Sequence, residues 1–288
     1  MSTLTRWGQA APWFVKIPVK VTLTHVPGGR SLAHRVGAFN HGPMLSVAYV
    51  TGVFDTHLAR ACGRSTADGL VCLELGPGES VASALVARAR GAEQTWLVDV
   101  APFASMELSD YAPLRDALAA EIDTSSASSV PELLGVCHAQ YVTDGISSLR
   151  TIPTASVDFV WSQAVLEHVR RDDVDAVLHE LRRVLKPEGA SSHRIDLEDH
   201  LQNGLNSLRF SERLWESSWM SSSGFYTNRL RYGDLLDRFA AAGFEVEVVH
   251  VDRWEHLPLA RARMAPEFRG LATDDLLVSG FDVVARPR

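Results

Sequence analysis

From residue 69 onward, apolar residues recur as short dense runs separated by longer amphipathic stretches. GLVCLEL (69–75) has the length and composition of a buried strand. SVASALVARARG (80–91) keeps its apolar residues at helical spacing, with Ser80 as a candidate N-cap and Gly91 as a stop. QTWLVDV (94–100) reads as a second strand and APLRDALAAEI (112–122) as a second helix, followed by a polar loop, TSSASS (124–129). GVCHAQYVTDG (135–145) contains a third strand, and SVDFVWSQ (156–163) is a fourth. Residues 164–185 read as one long amphipathic helix, with Val165, Leu166, Val169, Val174, Val177, Leu178, Leu181, Val184 and Leu185 apolar and KPEG (186–189) ending it. GASSHRIDL (189–197) is a fifth strand. LRYGDLLDRFAAAG (230–243) is a helix closed by Gly243, and FEVEVVHVDRW (244–254) and LLVSGFDVVAR (276–286) are the last two strands.

Strand and helix that alternate in this way predict an α/β fold: a doubly wound, mostly parallel seven-stranded sheet with right-handed crossovers. The last strand follows no long crossover helix and is expected to enter antiparallel. Two regions break the rhythm. Residues 1–65 carry only a helical pattern over Leu45–Ala61 and read as an N-terminal cap of short helices and loops. Residues 198–228, rich in Ser, Asn, Trp and Arg, read as a lid inserted into the remaining domain, 66–288.

Charge changes the picture by exclusion. The net charge of −7 opposes broad binding to nucleic acid or anionic membranes, because phosphate contacts need a positive field. WFVKIPVKV (13–21) is too short and too charged for a membrane span or a secretory core. The three cysteines, Cys62, Cys72 and Cys137, show no paired spacing; they suggest a reducing compartment, with Cys72 and Cys137 as small buried apolar residues. A soluble, cytoplasmic protein is expected, with the N-terminal cap as a possible dimer contact.

The first strand runs into LGPG, and in open parallel sheets ligands lie beyond the carboxyl ends of the strands. Gly76, Pro77 and Gly78 form a turn at which a ligand can approach the backbone. It is neither a GxGxxG fingerprint, since position 81 is Val81, nor a phosphate loop, since no GK[ST] follows. A cofactor with a ribose and an amino-acid tail suits it better than one with two phosphates. Asp99 ends the second strand, 23 residues after Gly76, where an acid can accept from both ribose hydroxyls. Asp144-Gly145 ends the third strand, where a carboxylate can accept from an adenine amino group; by itself it is also the signature of a simple turn. Trp161, Ser162 and Gln163 end the fourth.

Placed in this order, LELGPG (73–78), LVDV (97–100), YVTDG (141–145), VDFVWSQAVLEHV (157–169) and LRRVLKPEG (181–189) resemble the class I S-adenosylmethionine-dependent methyltransferases. SHRIDLEDH (192–200), GFYTNRLR (224–231) and VSGFDVV (278–284) are similar to a bacterial subgroup associated with polysaccharide or natural-product biosynthesis. The family's first motif often has a small residue or third glycine near position 80; here it is Ser80. The resemblance implies S-adenosylmethionine as cofactor. Glu74 and the backbone of Gly76 and Gly78 would meet its methionine end, Asp99 its ribose, Val100, Asp144 and Gly145 its adenine, while Ser162 and Gln163 would floor the sulfonium.

Methyl transfer needs an aligned nucleophile and, for a hydroxyl acceptor, a base. His193 in the fifth strand is the first candidate base; Asp196 and His200 at its end are the alternatives. No metal is expected, since His193, Asp196 and His200 match no tetrahedral ligand spacing. His168, Trp215, Tyr226, Asn228 and Arg229 are candidate acceptor contacts, although the spacing of Trp215 and Trp219 fits packing of the lid onto the sheet better. The reading is a methyltransferase for a small-molecule acceptor, O-methylation slightly ahead of N- or C-methylation. The rivals are a non-methylating use of the same cofactor, a binding module without turnover, and a nicotinamide-dependent dehydrogenase.

Overall fold

The computed structural model describes residues 45–288; the part of the N-terminal cap assigned to residues 1–44 lies outside them. Seven strands, β1 Val71–Leu75, β2 Gln94–Val98, β3 Ala139–Val142, β4 Val157–Gln163, β5 Leu185–Asp196, β6 Phe244–Arg253 and β7 Val278–Pro287, form one sheet in the order β3-β2-β1-β4-β5-β7-β6. The pairs among β1 to β5 are parallel. β7 runs antiparallel to β5 and β6, so the expected mixed, doubly wound sheet is the one observed. Strand order reverses between β1 and β4, the crevice that such sheets offer to ligands.

The α-helices of the described residues are α1 Val47–Cys62, α2 Ala82–Ala89, α3 Ala112–Ala117, α4 Val130–Val136, α5 Ile146–Thr151, α6 Val174–Val184, α7 Glu212–Trp215, α8 Ser218–Ser221, α9 Tyr232–Ala241 and α10 Thr273–Leu276, with short 3₁₀ turns between some of them. The period-2 alternation of strand side chains divides the core. Phe159 and Trp161 face α1, where Phe54 meets Trp161 edge to face at 5.1 Å. Val160, Leu73 and Phe281 face the layer of α6 and α9. α1 therefore packs on the sheet itself, through Val50, Phe54 and Leu58. Cys72 and Cys137 are buried and free; burial pushes both thiols up, Cys137 to about 12.

The structure corrects two local expectations and adds a second insertion. Residues 164–170 are not the start of a helix: a single 3₁₀ turn, Arg171–Asp173, leads into α6 at Val174. Ala164 takes a left-handed φ of 54°, and the carbonyls of Leu166 and Val169 accept from the Asn228 amide instead of forming a helical ladder. KPEG does not end a helix in a turn. It forms a bulge at the start of β5, which passes from Leu185 to Ala190 while β4 passes from Val157 to Phe159, and Lys186 binds Asp158 there at 2.7 Å. A Cβ on Gly189 would lie 3.0 Å from the Asp158 carbonyl, which explains the glycine. Finally, residues 254–277, between β6 and β7, form a second insertion whose Leu259, Met264 and Phe268 pack on Leu205 and Leu208 of the first. The lid thus has two parts, separated in sequence by α9 and β6.

No helix of the described residues is long and apolar enough to cross a membrane, and no cluster among them could hold a metal ion.

Candidate active site

The glycine turn is built by backbone geometry. Gly76 and Gly78 have φ of 70° and 66°, which an L side chain resists. A Cβ on Gly76 would lie 2.6 Å from both methyls of Val165. Backbone bonds tie the strand ends together: Gly76 N–H donates to the Val98 carbonyl, Asp99 N–H to the Val142 carbonyl and Gly145 N–H to the Asp99 carbonyl. Asp99 shapes the turn as well, accepting from the N–H of Gly78 at 2.9 Å and of Val100 at 2.6 Å. Burial raises its carboxyl, and these backbone donors oppose that rise. Val100 beside it is 72% exposed, and Gly145 abuts it, with a Cβ there only 3.7 Å from the Val100 Cα. Asp144 is exposed at the end of β3.

A first cavity of ≈ 50 Å³ lies between this turn and α1, walled by Tyr49, Val53, Glu74, Pro77, Ser83 and Gln163. Glu74 accepts from the hydroxyl of Ser83 and, at 3.2 Å, from the indole N–H of Trp161. Burial dominates these bonds and pushes its carboxyl up to about 7. This donor set fits the expected cofactor: a buried carboxylate for an ammonium, glycine backbone for close approach, an acid at the second strand end, and an open Val100 to pack on a ring.

A second, larger cleft of ≈ 570 Å³ opens at the carboxyl ends of β4 and β5, lined by Gln163, Arg194, Asp196, Glu198, Asp252 and Trp254 among others. Arg194 is held by Asp252 at 2.7 Å and Asp282 at 3.5 Å. Asp196 accepts from the Glu198 N–H, and burial raises its carboxyl. Gln163 is the one residue on the walls of both cavities.

The candidate base His193 lies elsewhere. Strand alternation turns it, with Ser162, to the α9 face. It is fully buried, 2.8 Å from the Ser162 hydroxyl and 5.5 Å from the Phe239 ring. Burial, with the nearby His57, drives its pKa down to about 3. Neither His193 nor Ser162 lines either cavity. His200 stacks on His168, their Nε2 atoms 3.0 Å apart. Since His168 Nδ1 bonds the Tyr226 carbonyl, and a carbonyl only accepts, the shared proton sits on His200.

The lid residues bind the lid. Trp215 is buried and donates to the Thr227 carbonyl. Tyr226 donates to Glu216 and accepts from the Arg171 N–H. Arg229 donates to the carbonyls of Phe210 and Ser207 and lies between the rings of Trp215 and Phe268, at 5.2 and 4.8 Å. Asn228 is 1% exposed and fastens the β4 loop. None of Trp215, Tyr226, Asn228 and Arg229 lines either cavity. Sequence reasoning missed the α1 wall and the cleft residues Arg194, Glu198, Asp252 and Trp254. For Arg194, the signal was available: alternation from Ser192 and His193 places it at the strand end, away from the His193 face.

Residues 73–192 match the family model described as a methyltransferase domain. No curated protein matches the chain in sequence. Similar solved structures include YcgJ from Bacillus subtilis, 15% identical, covering 83% of this chain and 98% of that one at a TM-score of 0.46. Another is 1,6-didemethyltoxoflavin-N1-methyltransferase from Burkholderia thailandensis, solved with 1,6-didemethyltoxoflavin and S-adenosylhomocysteine bound: 16% identical, covering 96% and 91%, TM-score 0.46. A third is an S-adenosylmethionine-dependent methyltransferase from Methanosarcina mazei: 16% identical, covering 76% and 93%, TM-score 0.47. Residues 73–192, which carry β2 to β4 and most of β1 and β5, are thus similar to a methyltransferase domain, and the groups at their strand ends suit S-adenosylmethionine.

Proposed function

We propose that the chain methylates a small polar acceptor seated in the cleft at the ends of β4 and β5, at a hydroxyl oxygen in preference to nitrogen or carbon, in the biosynthesis of a natural product or saccharide. The observation that carries this is Gln163: it walls both the cavity beside the glycine turn and the larger cleft, so a guest in the cleft lies next to the cofactor's place. When bound, the cofactor supplies a sulfonium methyl that is already electrophilic. Glu74 and the Gly76–Gly78 backbone would hold its methionine end, Asp99 its ribose, and Val100, Asp144 and Gly145 its adenine.

The chain's remaining task is alignment and proton removal. Placement alone supplies much of such a rate, on the order of 7 to 11 kcal/mol in favourable cases. Asp196 lines the cleft, and a carboxyl raised by burial is a better proton acceptor for a hydroxyl than an ordinary one. The charged lining of the cleft favours an acceptor with several polar groups. The test is release of S-adenosylhomocysteine across a panel of hydroxylated and aminated small molecules. A hydroxylated acceptor is expected to turn over, with Asp196→Asn lowering kcat about a hundredfold and leaving S-adenosylhomocysteine affinity intact. Turnover only on amines would move the reaction to nitrogen, and an unimpaired Asp196→Asn would remove the base.

A further inference from the structure

We infer that His57, a residue of α1 outside all the strand-end motifs, is a positioning residue that fixes the Gln163 side chain at the wall between the two cavities. His57 is 1% exposed. Its Nδ1 lies 2.8 Å from the Ser192 hydroxyl and its Nε2 3.0 Å from Gln163 Oε1. An amide oxygen only accepts, so the ring proton sits on Nε2, and Nδ1 accepts from Ser192. Both nitrogens are used and the ring cannot turn without breaking a buried bond.

The consequence falls on Gln163. Its oxygen is committed to His57, and its NH₂ group has no acceptor among the described residues. The amide is thereby oriented with its donors unspent. The backbone is fixed from the other side: Ala164 takes the left-handed φ of 54°, and its N–H donates to the Arg194 carbonyl. Glutamine has three side-chain torsions, and ordering them at the moment of binding costs affinity. His57 orders them beforehand. A helix that precedes the nucleotide-binding strand is thus coupled to the site through one hydrogen bond, between residues 106 positions apart.

This inference rests on S-adenosylmethionine being the cofactor, and the experiment separates the two. S-adenosylhomocysteine is titrated by calorimetry into the wild-type protein, His57→Asn, His57→Gln, Gln163→Met and the double variant His57→Asn/Gln163→Met. Asparagine reaches only to the position of Nδ1, whereas glutamine reaches that of Nε2. His57→Asn is expected to bind about tenfold more weakly and His57→Gln within about threefold of wild type. Adding His57→Asn to Gln163→Met is expected to cost nothing further, because the coupled pair is already broken. A purely structural histidine would make the two His57 variants equal and the losses additive, and either result overturns the inference. Should His57→Asn not fold, nitrogen NMR of the wild-type and Gln163→Met proteins decides. The His57 Nε2–H signal is expected to move on addition of S-adenosylhomocysteine in the wild type and not in Gln163→Met, and no movement in the wild type overturns the inference. A wild-type protein that binds no S-adenosylhomocysteine overturns both the cofactor assignment and this inference.

Discussion

The strand ends around Gly76 and the two-part lid are equally rich in polar side chains, yet they use them in opposite ways. At the strand ends, backbone N–H groups close the turns, Asp144 and Val100 are left exposed, and Gln163 lines both cavities. In the lid, Asp199 accepts from the N–H groups of Leu201, Gln202 and Ser207, Asn228 fastens the β4 loop, and Arg229 is buried between two rings. A segment without a regular ladder must satisfy its backbone with side chains. Those side chains are then unavailable to a guest. The regular sheet carries that burden internally and can spare its edge for chemistry.

The sharpest way to break this contrast is at Arg229. Its guanidinium donates to two carbonyls and fills the space between Trp215 and Phe268, and its backbone is held at φ 59°. Arg229→Ala leaves unpaired carbonyls and a void, so a loss of about 3 kcal/mol in denaturant unfolding is expected. Affinity for S-adenosylhomocysteine is expected to stay within about twofold, measured below the unfolding transition. A large affinity loss with unchanged stability would return Arg229 to the binding surface and dissolve the contrast.

Asp99→Ala should show the reverse. It removes the proposed ribose acceptor and the carboxylate that closes the Gly78 turn, so calorimetry is expected to show affinity falling about thirtyfold, roughly 2 kcal/mol, with a smaller loss of stability. Asp99→Asn keeps one acceptor oxygen and is expected to lie between.

The succession of seven strands along the chain, the glycine turn and the acids at the strand ends were legible because buried strands and tight turns leave local marks in the chain. The helix expected over 164–185 failed over 164–170, where apolar residues obey helical spacing while the carbonyls of Leu166 and Val169 are claimed by Asn228, about 60 residues away. His193 failed as a base because only pairing shows that its face is sealed by Phe239. Residues 255–275 carry no regular pattern and predict no element; their packing partners, Leu205 and Leu208, lie some fifty residues earlier. His57 carries no motif at all, and its meaning appears only when β4 and β5 are set beneath α1.

The smallest effect sharpens the comparison most, because the strand ends hold one buried glutamate, Glu74, and the β4 loop to which the lid's Asn228 N–H donates holds another, Glu167. Glu74 is pushed to about 7 and Glu167 to about 8, both chiefly by burial. Glu74 accepts from Ser83 and Trp161; Glu167 accepts weakly from the Asp196 N–H, and its other oxygen has no partner among the described residues. Both are neutral in the folded protein at pH values where an unfolded glutamate, near 4.5, has already ionised. The native state therefore holds more protons between pH 4.5 and about 8, and stability falls as pH rises through that window and levels above it. Glutamine mimics a neutral carboxyl, so Glu167→Gln and Glu74→Gln should each flatten the slope. The cofactor should tell them apart. Its ammonium favours ionised Glu74, so S-adenosylhomocysteine binding at pH 6 is expected to release a proton, read from the buffer dependence of the binding heat. Release should vanish in Glu74→Gln and persist in Glu167→Gln. Equal release in both variants would mean that the cofactor reaches neither carboxyl, and the division of labour between sheet edge and lid would lose its electrostatic support.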